Sequence, residues 1–408
     1  MSTARPRLLV LYHFLHPDQV VSAQIMSGFA EEQARRGWDV TALACNRSHG
    51  DGGGRLPADE VWNDVKIHRV FRPAWSQKRP LPRLANSAWM LAAWLLRVVR
   101  LETFDAVVLG SDPSFAAALA IPLRALRPHT PIIHWCLDVF PDAVEAEWTG
   151  ATRLLSPPAR AVMSAAYRRC DVVVDLGPCM RERLEKYGGS PERHTFTPWA
   201  LVEPEVLAEP DPAVRRELFG DAKVGLLYAG SMSRPHDYES LLQLARACRA
   251  RAGNEIAMTF ACTGTNLPAL KAAVRPDDAN IRFAPFADEA TFASRLVAAD
   301  FHLGSLRPQY AGISVPSKFF AALAVGRPVI FAGTPDMSIP RWIREHGVGL
   351  LLEPGRARDV ADRLSAIKDD PAAVRAGRAN ALAVYRRHFS RKFINDQWAA
   401  LLGRYAKR

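Results

Sequence analysis

Most of the short signatures that announce an enzyme class are missing from this sequence. It contains no GxGxxG, no GxxxxGK[ST], no HExxH and no GxSxG. Dinucleotide redox chemistry, P-loop phosphoryl transfer, zinc proteolysis and serine hydrolysis therefore lack their usual handles. No Asp-x-Asp pair closes an apolar run, so nothing visible requires a divalent metal, and none is expected. The six cysteines, Cys45, Cys136, Cys170, Cys179, Cys248 and Cys262, are scattered without a CxxC pair. That pattern reads as reduced core residues of a cytoplasmic protein, not as zinc ligands or disulfides. A secretory signal is not expected either, because the first apolar run begins within ten residues with no charged head and cleavage site before it. The most apolar segment, Leu84 to Leu101, is interrupted by Asn86, Arg97 and Arg100. A bilayer span needs about 20 apolar residues, so a transmembrane helix is rejected.

What is present fits a soluble globular chain: 49% hydrophobic and 23% charged residues. Its 408 residues are enough for two domains, at the usual ~100–200 residues each. The net charge of +11 favours an anionic partner, or reflects an arginine-rich composition alone. Around the apolar helix, Trp75, Lys78, Arg79, Arg83, Trp89, Trp94, Arg97 and Arg100 mix indoles with cations. Such a mixture suits a helix lying on an anionic membrane surface, and equally a helix packed on a sheet with a basic rim.

The stretch GISVPSKFFAALAVGRPVIFAG, Gly312 to Gly333, reads as loop, helix and buried strand. Ser314, Pro316, Ser317 and Lys318 stand where the helix should begin, since proline is tolerated in a first turn. A helix start with free amides and a lysine suits a phosphate, although an ordinary helix cap would use the same residues. Gly326 should end the helix, and RPVIFAG should return as a parallel strand covered on both faces.

Ahead of it, LLVLY at Leu8–Tyr12 predicts a first buried strand, followed by a helix from Ser22 to Arg36 with Ser22 as cap and Gly37 as stop. Asn46 to Gly54 reads as a flexible surface loop. PIIHWCLDVFPD predicts a strand that delivers Asp138 at its carboxyl end, where ligands bind in open parallel sheets. By itself Asp138 also reads as a turn or cap residue, and His134 as a core histidine bonded to backbone. ALVEPEVLAEPDP, Ala200 to Pro212, reads as a linker. Beyond it, a strand from Val224 to Ala229 leads to Gly230 and Ser231, with Arg234 in reach of a diphosphate or solvated, and a helix begins near Asp237. Further strands are expected at Ile256–Ala261, before Gly264, and at Ile281–Phe286, around Pro285.

VPSKFFAALAVGRPVIFAG resembles the donor-binding segment of retaining family 4 glycosyltransferases of the GT-B fold, in the branch that builds bacterial surface polysaccharides. The other segments match that family in order, so the likeness covers nearly the whole chain. It implies an α/β protein of two Rossmann-like, doubly wound parallel-sheet domains facing a cleft, with residues 1–203 binding acceptor and 204–388 binding a nucleotide sugar. Residues 389–408 would form a helix returning to the first domain. The same resemblance makes Asp138 and Asp142 counterparts of an acceptor-side pair, with His13, His16 and Asp18 as stand-ins for the family's absent paired glycines. Gly230, Ser231, Arg234, Gly264, Pro285, Ser314, Pro316, Ser317 and Lys318 become the donor-binding set, and Asp138, Arg234 and Lys318 the catalytic one.

The expected activity is metal-independent transfer, with retention, from a nucleotide-sugar donor, UDP-linked, to a saccharide or lipid-linked saccharide. No cofactor beyond that co-substrate and no nucleic acid is expected, and the place of action is cytoplasmic, peripheral on the inner face of the membrane. Two family glutamates are replaced by Ile313 and Ala321. That departure keeps a catalytically degenerate scaffold open as an alternative, beside a nucleotide-sugar 2-epimerase.

Overall fold

The computed structural model describes residues 5–50, 53–77, 79–147, 150–189, 191–203 and 209–406. The chain divides into two compact units, Met1–Thr197 with Gly312–Ser314 and Ile394–Arg408, and Pro198–Ala311 with Val315–Phe393.

The first unit is built on a sheet of β1 (Arg7–Leu11), β2 (Asp39–Cys45), β3 (Asp59–Trp62), β4 (Val65–Val70), β5 (Ala106–Leu109), β6 (Ile132–Trp135), β7 (Val172–Asp175) and β8 (Glu192–Thr195). The order is β3-β4-β2-β1-β5-β6-β7-β8, with only β3 antiparallel. Leu8, Leu9 and Val10 are fully buried, as expected for a strand covered on both faces. β3 was not expected. Its signal was the Asn63–Asp64 turn, where both residues take positive φ, as two-residue hairpins require. The first helix runs Val21–Arg35 and has Val20 at its N-cap with no side-chain bond, so Ser22 lies inside the helix and is not its cap. All six cysteines are buried, and none forms a disulfide.

The last helix, Arg391–Gly403, packs on this unit from Ile394 onward. Trp398 is fully buried against Trp135 and Phe29, at centroid distances of 5.0 and 4.7 Å. Arg36 to Asp396 (2.7 Å) and Arg404 to Glu192 (2.6 Å) fix its rim.

The second unit carries β9 (Val224–Ser231), β10 (Ile256–Thr263), β11 (Ile281–Phe283), β12 (Phe301–Ser305), β13 (Val329–Ala332) and β14 (Gly349–Leu352), all parallel, in the order β11-β10-β9-β12-β13-β14. It begins at Pro198, earlier than the expected 204, because the Ala200 amide donates to Tyr385 Oη (2.9 Å) and Arg391 lies 5.8 Å from the Trp199 ring. Part of the expected linker, residues 204–208, lies outside the described residues. Its end is a helix, Pro212–Phe219, capped by Asp211 on the Ala213 amide and buried at Leu218 and Phe219. In both sheets the strand order reverses once, between β1 and β5 and between β9 and β12. Polar residues at the carboxyl ends of those strands are therefore placed where open α/β sheets bind ligands.

Candidate functional site

In the second unit the reversal point gathers residues from three separate stretches. β9 runs on to Ser231, so Gly230 belongs to the strand end and has φ +118°, a conformation that L side chains rarely adopt. Lys318 crosses this glycine. Its Nζ donates to the Ser231 carbonyl at 3.0 Å and lies 5.1 Å from the Tyr228 ring centroid. Burial holds the amine down at about 8. A third partner, His236, was not picked out from the sequence; its Nε2 is 3.4 Å from Lys318 Nζ. His236 Nδ1 is 2.7 Å from the Ser305 carbonyl, which can only accept, so Nδ1 holds the proton and Nε2 turns a lone pair to the ammonium. Burial, then the lysine charge, holds this ring neutral with its pKa pushed down to about 3. The available signal was its place directly before Asp237, which caps the helix Tyr238–Ala252.

Gly264 has φ +115°, and a Cβ there would stand 2.7 Å from the Met232 carbonyl oxygen. Bonds from Met232 N to Thr263 O (2.6 Å) and Asn266 N to Met232 O (2.9 Å) lock its loop to the residues after Ser231. The structure thus brings Gly230, Ser231, Gly264 and Lys318 together. Arg234 is exposed on the same loop. Pro285 lies past β11, and its carbonyl accepts from Arg295 Nη1 at 2.8 Å.

The expected helix start at Pro316 is corrected. The helix is Lys318–Ala324, with Ser317 at the N-cap and Pro316 before it. Phe319 N and Phe320 N bond to the carbonyls of Pro316 and Ser317, so these two amides are turned into the first turn. Ser314 is counted with the first unit. Gly312–Ser314 belong to the first unit, where Val139 N donates to Ile313 O at 2.9 Å and Asp138 forms a β-bridge with Ser314. Ile313 is 1% exposed, so this position of an absent family glutamate is spent on packing.

In the first unit Asp138 stands three residues beyond β6, its amide held by Ser111 Oγ at 3.2 Å. Burial, and then the charge of Asp112, push its carboxyl up to about 6. Asp112 forms an ion pair with His13 at 3.3 Å, and the His13 amide bonds to the Asp112 carbonyl at 2.9 Å, joining the ends of β1 and β5. Asp138, Asp112 and His13 thus form one charged group at the reversal point. His134 is the core residue expected, with Nδ1 3.0 Å from the Leu109 carbonyl and its pKa lowered by burial to about 4.

The other acceptor-side candidates do not join that group directly. Asp142 is 3% exposed and engaged by Arg183 Nε (2.7 Å), Arg160 (3.4 Å) and the Tyr187 hydroxyl. It ties helices together, and its assignment to acceptor binding gives way to that structural task. His16 stacks on Trp62 at 4.6 Å beside Glu60, at the sheet edge. Asp18 accepts from the His49 amide at 2.7 Å. With Ser48 N on Gly54 O (3.1 Å), this bond pins the described part of a loop expected to be flexible; its Asp51 and Gly52 lie outside the described residues. Among the described residues no group of three or more His, Cys, Asp or Glu could hold a metal ion.

Comparison with known proteins gives these two units a family. No curated protein matches the sequence. Solved structures share the fold: sucrose-phosphate synthase of Thermosynechococcus elongatus has a TM-score of 0.75 at 16% identity, covering 98% of this chain and 99% of that one. Anabaena HepE in complex with UDP-glucose gives 0.65 at 14% identity, covering 97% and 99%. WaaG, a glycosyltransferase involved in lipopolysaccharide biosynthesis, gives 0.66 at 15%, also covering 97% and 99%. Residues 22–200 match the glycosyl transferase 4-like domain and residues 223–370 match the glycosyl transferases group 1 domain. With a family domain on each of its two parallel-sheet units, the chain belongs to the GT-B glycosyltransferases.

Proposed function

We propose that this protein transfers a sugar, with retention and without a metal, from a UDP-sugar bound by the second unit to an acceptor hydroxyl bound by the first. The observation that carries this is the Lys318 amine seated across Gly230 against the Ser231 carbonyl, with a neutral imidazole as its other partner. An ammonium has three donors, and these two contacts leave one for a phosphate oxygen. Arg234, exposed on the adjacent loop, supplies a second cation. In the reaction the bond from the sugar's anomeric carbon to the diphosphate breaks and a bond to the acceptor oxygen forms on the same face. Charge develops on the β-phosphate, where protein cations stabilise it. The hydroxyl's proton passes to Asp138 or to the departing phosphate oxygen. With its carboxyl near 6, Asp138 is ionised at neutral pH and basic enough to accept it.

The acceptor we favour is a lipid-linked saccharide of surface polysaccharide assembly, met at the inner face of the cytoplasmic membrane. Among the described residues no helix is long and apolar enough to cross a membrane. The helix Pro80–Arg100 exposes Leu81 (80%), Leu96 (62%) and Val99 (55%), together with Trp89, and carries Arg83 and Arg100 exposed. Apolar side chains beside cations suit the boundary of an anionic lipid leaflet. Trp94, counted in that set from the sequence, is fully buried and belongs to the core instead, while Lys78 lies outside the described residues.

A second reading, a scaffold without turnover, is favoured by the burial of Ile313 where the family places a glutamate. Thermal unfolding of the full chain with UDP and a panel of UDP-sugars, followed by assay of donor hydrolysis, separates the two. Stabilisation with turnover is expected; stabilisation with no turnover on any donor would make the scaffold reading the correct one.

A further inference from the structure

Two buried cations in the first unit keep donor nitrogens with no hydrogen-bond partner among the described residues. His13, 2% exposed, pairs with Asp112 through Nδ1, and its Nε2 has no partner among the described residues. Burial opposes charge on this ring, but Asp112, helped by a side-chain hydrogen bond with Cys45, overrides it and raises the pKa to about 9, so Nε2 carries a proton. Arg72, also 2% exposed, lies just past β4. Its Nε and Nη1 have no partner among the described residues, and Nη2 has only the Ser48 carbonyl at 3.4 Å. Both cations pack on one ring: His13 stacks on Phe14 at 4.1 Å, and the Arg72 guanidinium carbon is 5.7 Å from the same centroid. Both act electrostatically on Asp18, whose Oδ1 is already engaged by the His49 amide.

We infer that His13 and Arg72 form an oxyanion pocket, which receives the phosphate or carboxylate group of an anionic acceptor saccharide. Desolvated cations with unmade bonds are costly, and the cost is recovered only when acceptors, best charged ones, reach them. Three donor nitrogens without partners on two buried cations call for an oxygen-rich anion more than for a single hydroxyl. Their place also fits, since His13 stands at the carboxyl end of β1, where the strand order reverses. This inference rests on the proposal that the first unit binds the acceptor, and it narrows that acceptor to a charged class.

The test uses the full chain at constant ionic strength, with thermal unfolding as readout and inorganic phosphate, glucose 6-phosphate, glucuronate and glucose as probes. Phosphate and at least one anionic sugar should raise the melting temperature saturably, with glucose without effect; comparing glucose 6-phosphate with glucuronate assigns the pocket to phosphate or carboxylate. Arg72→Gln and His13→Gln should each raise the half-saturating concentration at least tenfold, while the response to UDP persists. If Arg72→Gln does not fold, Arg72→Lys, which keeps charge but not the planar donors, should still weaken anion binding. Equal responses to glucose and glucose 6-phosphate, or variants that bind anions as the parent does, overturn the pocket. A UDP response without an anion response overturns the pocket alone and leaves the transfer proposal standing. An anion response in a chain indifferent to UDP keeps the pocket and sinks the transfer proposal.

Discussion

A Cβ placed on Gly230 would stand 2.8 Å from Cε of Lys318, so the glycine and the lysine occupy one another's space. Gly230→Ala must therefore push the amine off the Ser231 carbonyl while forcing alanine into φ +118°. Strain of that kind costs about 1–3 kcal/mol. Urea unfolding should show a loss of that order, and the thermal response to UDP should disappear; a variant that keeps the full UDP response would remove Lys318 from the donor site.

The protonation of Lys318 gives a pH dependence with a definite sign. Its folded-state pKa, lowered by burial to about 8, lies below the ordinary value of 10.5. Between those values the unfolded chain holds the proton that the folded chain has released, so this group's contribution to stability improves as pH rises through that window. Donor binding moves the other way, because the diphosphate needs the ammonium. UDP affinity measured by calorimetry should fall by up to about tenfold per pH unit above 8. In Lys318→Ala that slope should be absent.

Asp138→Asn separates chemistry from stability. Burial and Asp112 raise the carboxyl to about 6, so it weakens the fold as pH climbs from about 4 to 6, when the unfolded chain releases the proton first. Asparagine should thus leave the protein at least as stable at neutral pH. Turnover should drop by about 10²–10⁴, the usual worth of a positioned acid–base group, and the acidic limb of the rate profile near pH 6 should vanish. A variant with unchanged turnover would rule out this role.

Asp142→Asn is the converse case. It weakens the charged bonds to Arg183, Arg160 and Tyr187 inside the first unit, and a charged hydrogen bond is worth about 1.5–3 kcal/mol. Chemical denaturation should register a loss of about 2 kcal/mol or more. Acceptor KM should stay near that of the parent when assayed well below the transition.

The two sides of the helix Pro80–Arg100 should answer differently. Leu81→Glu with Leu96→Glu alters only exposed positions, so folding should be unaffected while co-sedimentation with phosphatidylglycerol vesicles is lost. Trp94→Ala empties a fully buried site and should cost about 3–5 kcal/mol with lipid binding preserved in the folded fraction. Equal vesicle binding by the double glutamate variant and its parent would refute a membrane role for this face.

Much of this was written locally. Runs such as LLVLY and PVIFA become parallel strands because a sheet covered on both faces needs unbroken apolar side chains, and Gly326, at φ +65°, stops a helix for the reason any such glycine does. The Asn63–Asp64 hairpin and the Asp211 cap, both passed over in the sequence, are also matters of a few adjacent residues. The apolar segment read at Leu84 to Leu101 lies in the helix Pro80–Arg100, although its composition did not say which tryptophan faced inward.

Which polar groups meet was decided elsewhere. Lys318 and His236 are 82 residues apart, and they converge because β9 and β12 lie side by side where the strand order reverses. His13 meets Asp112 by the same route, through β1 and β5. The stretch that looked continuous from Ser314 to Lys318 is shared between two units, since Ile313 and Ser314 complete backbone pairing with Val139 and Asp138. Local sequence sets the conformation of each segment, because steric and burial preferences act over a few residues. Long-range strand pairing sets the partners, and so the protonation state of Lys318, His236 and Asp138, because charge depends on what the fold places around each group.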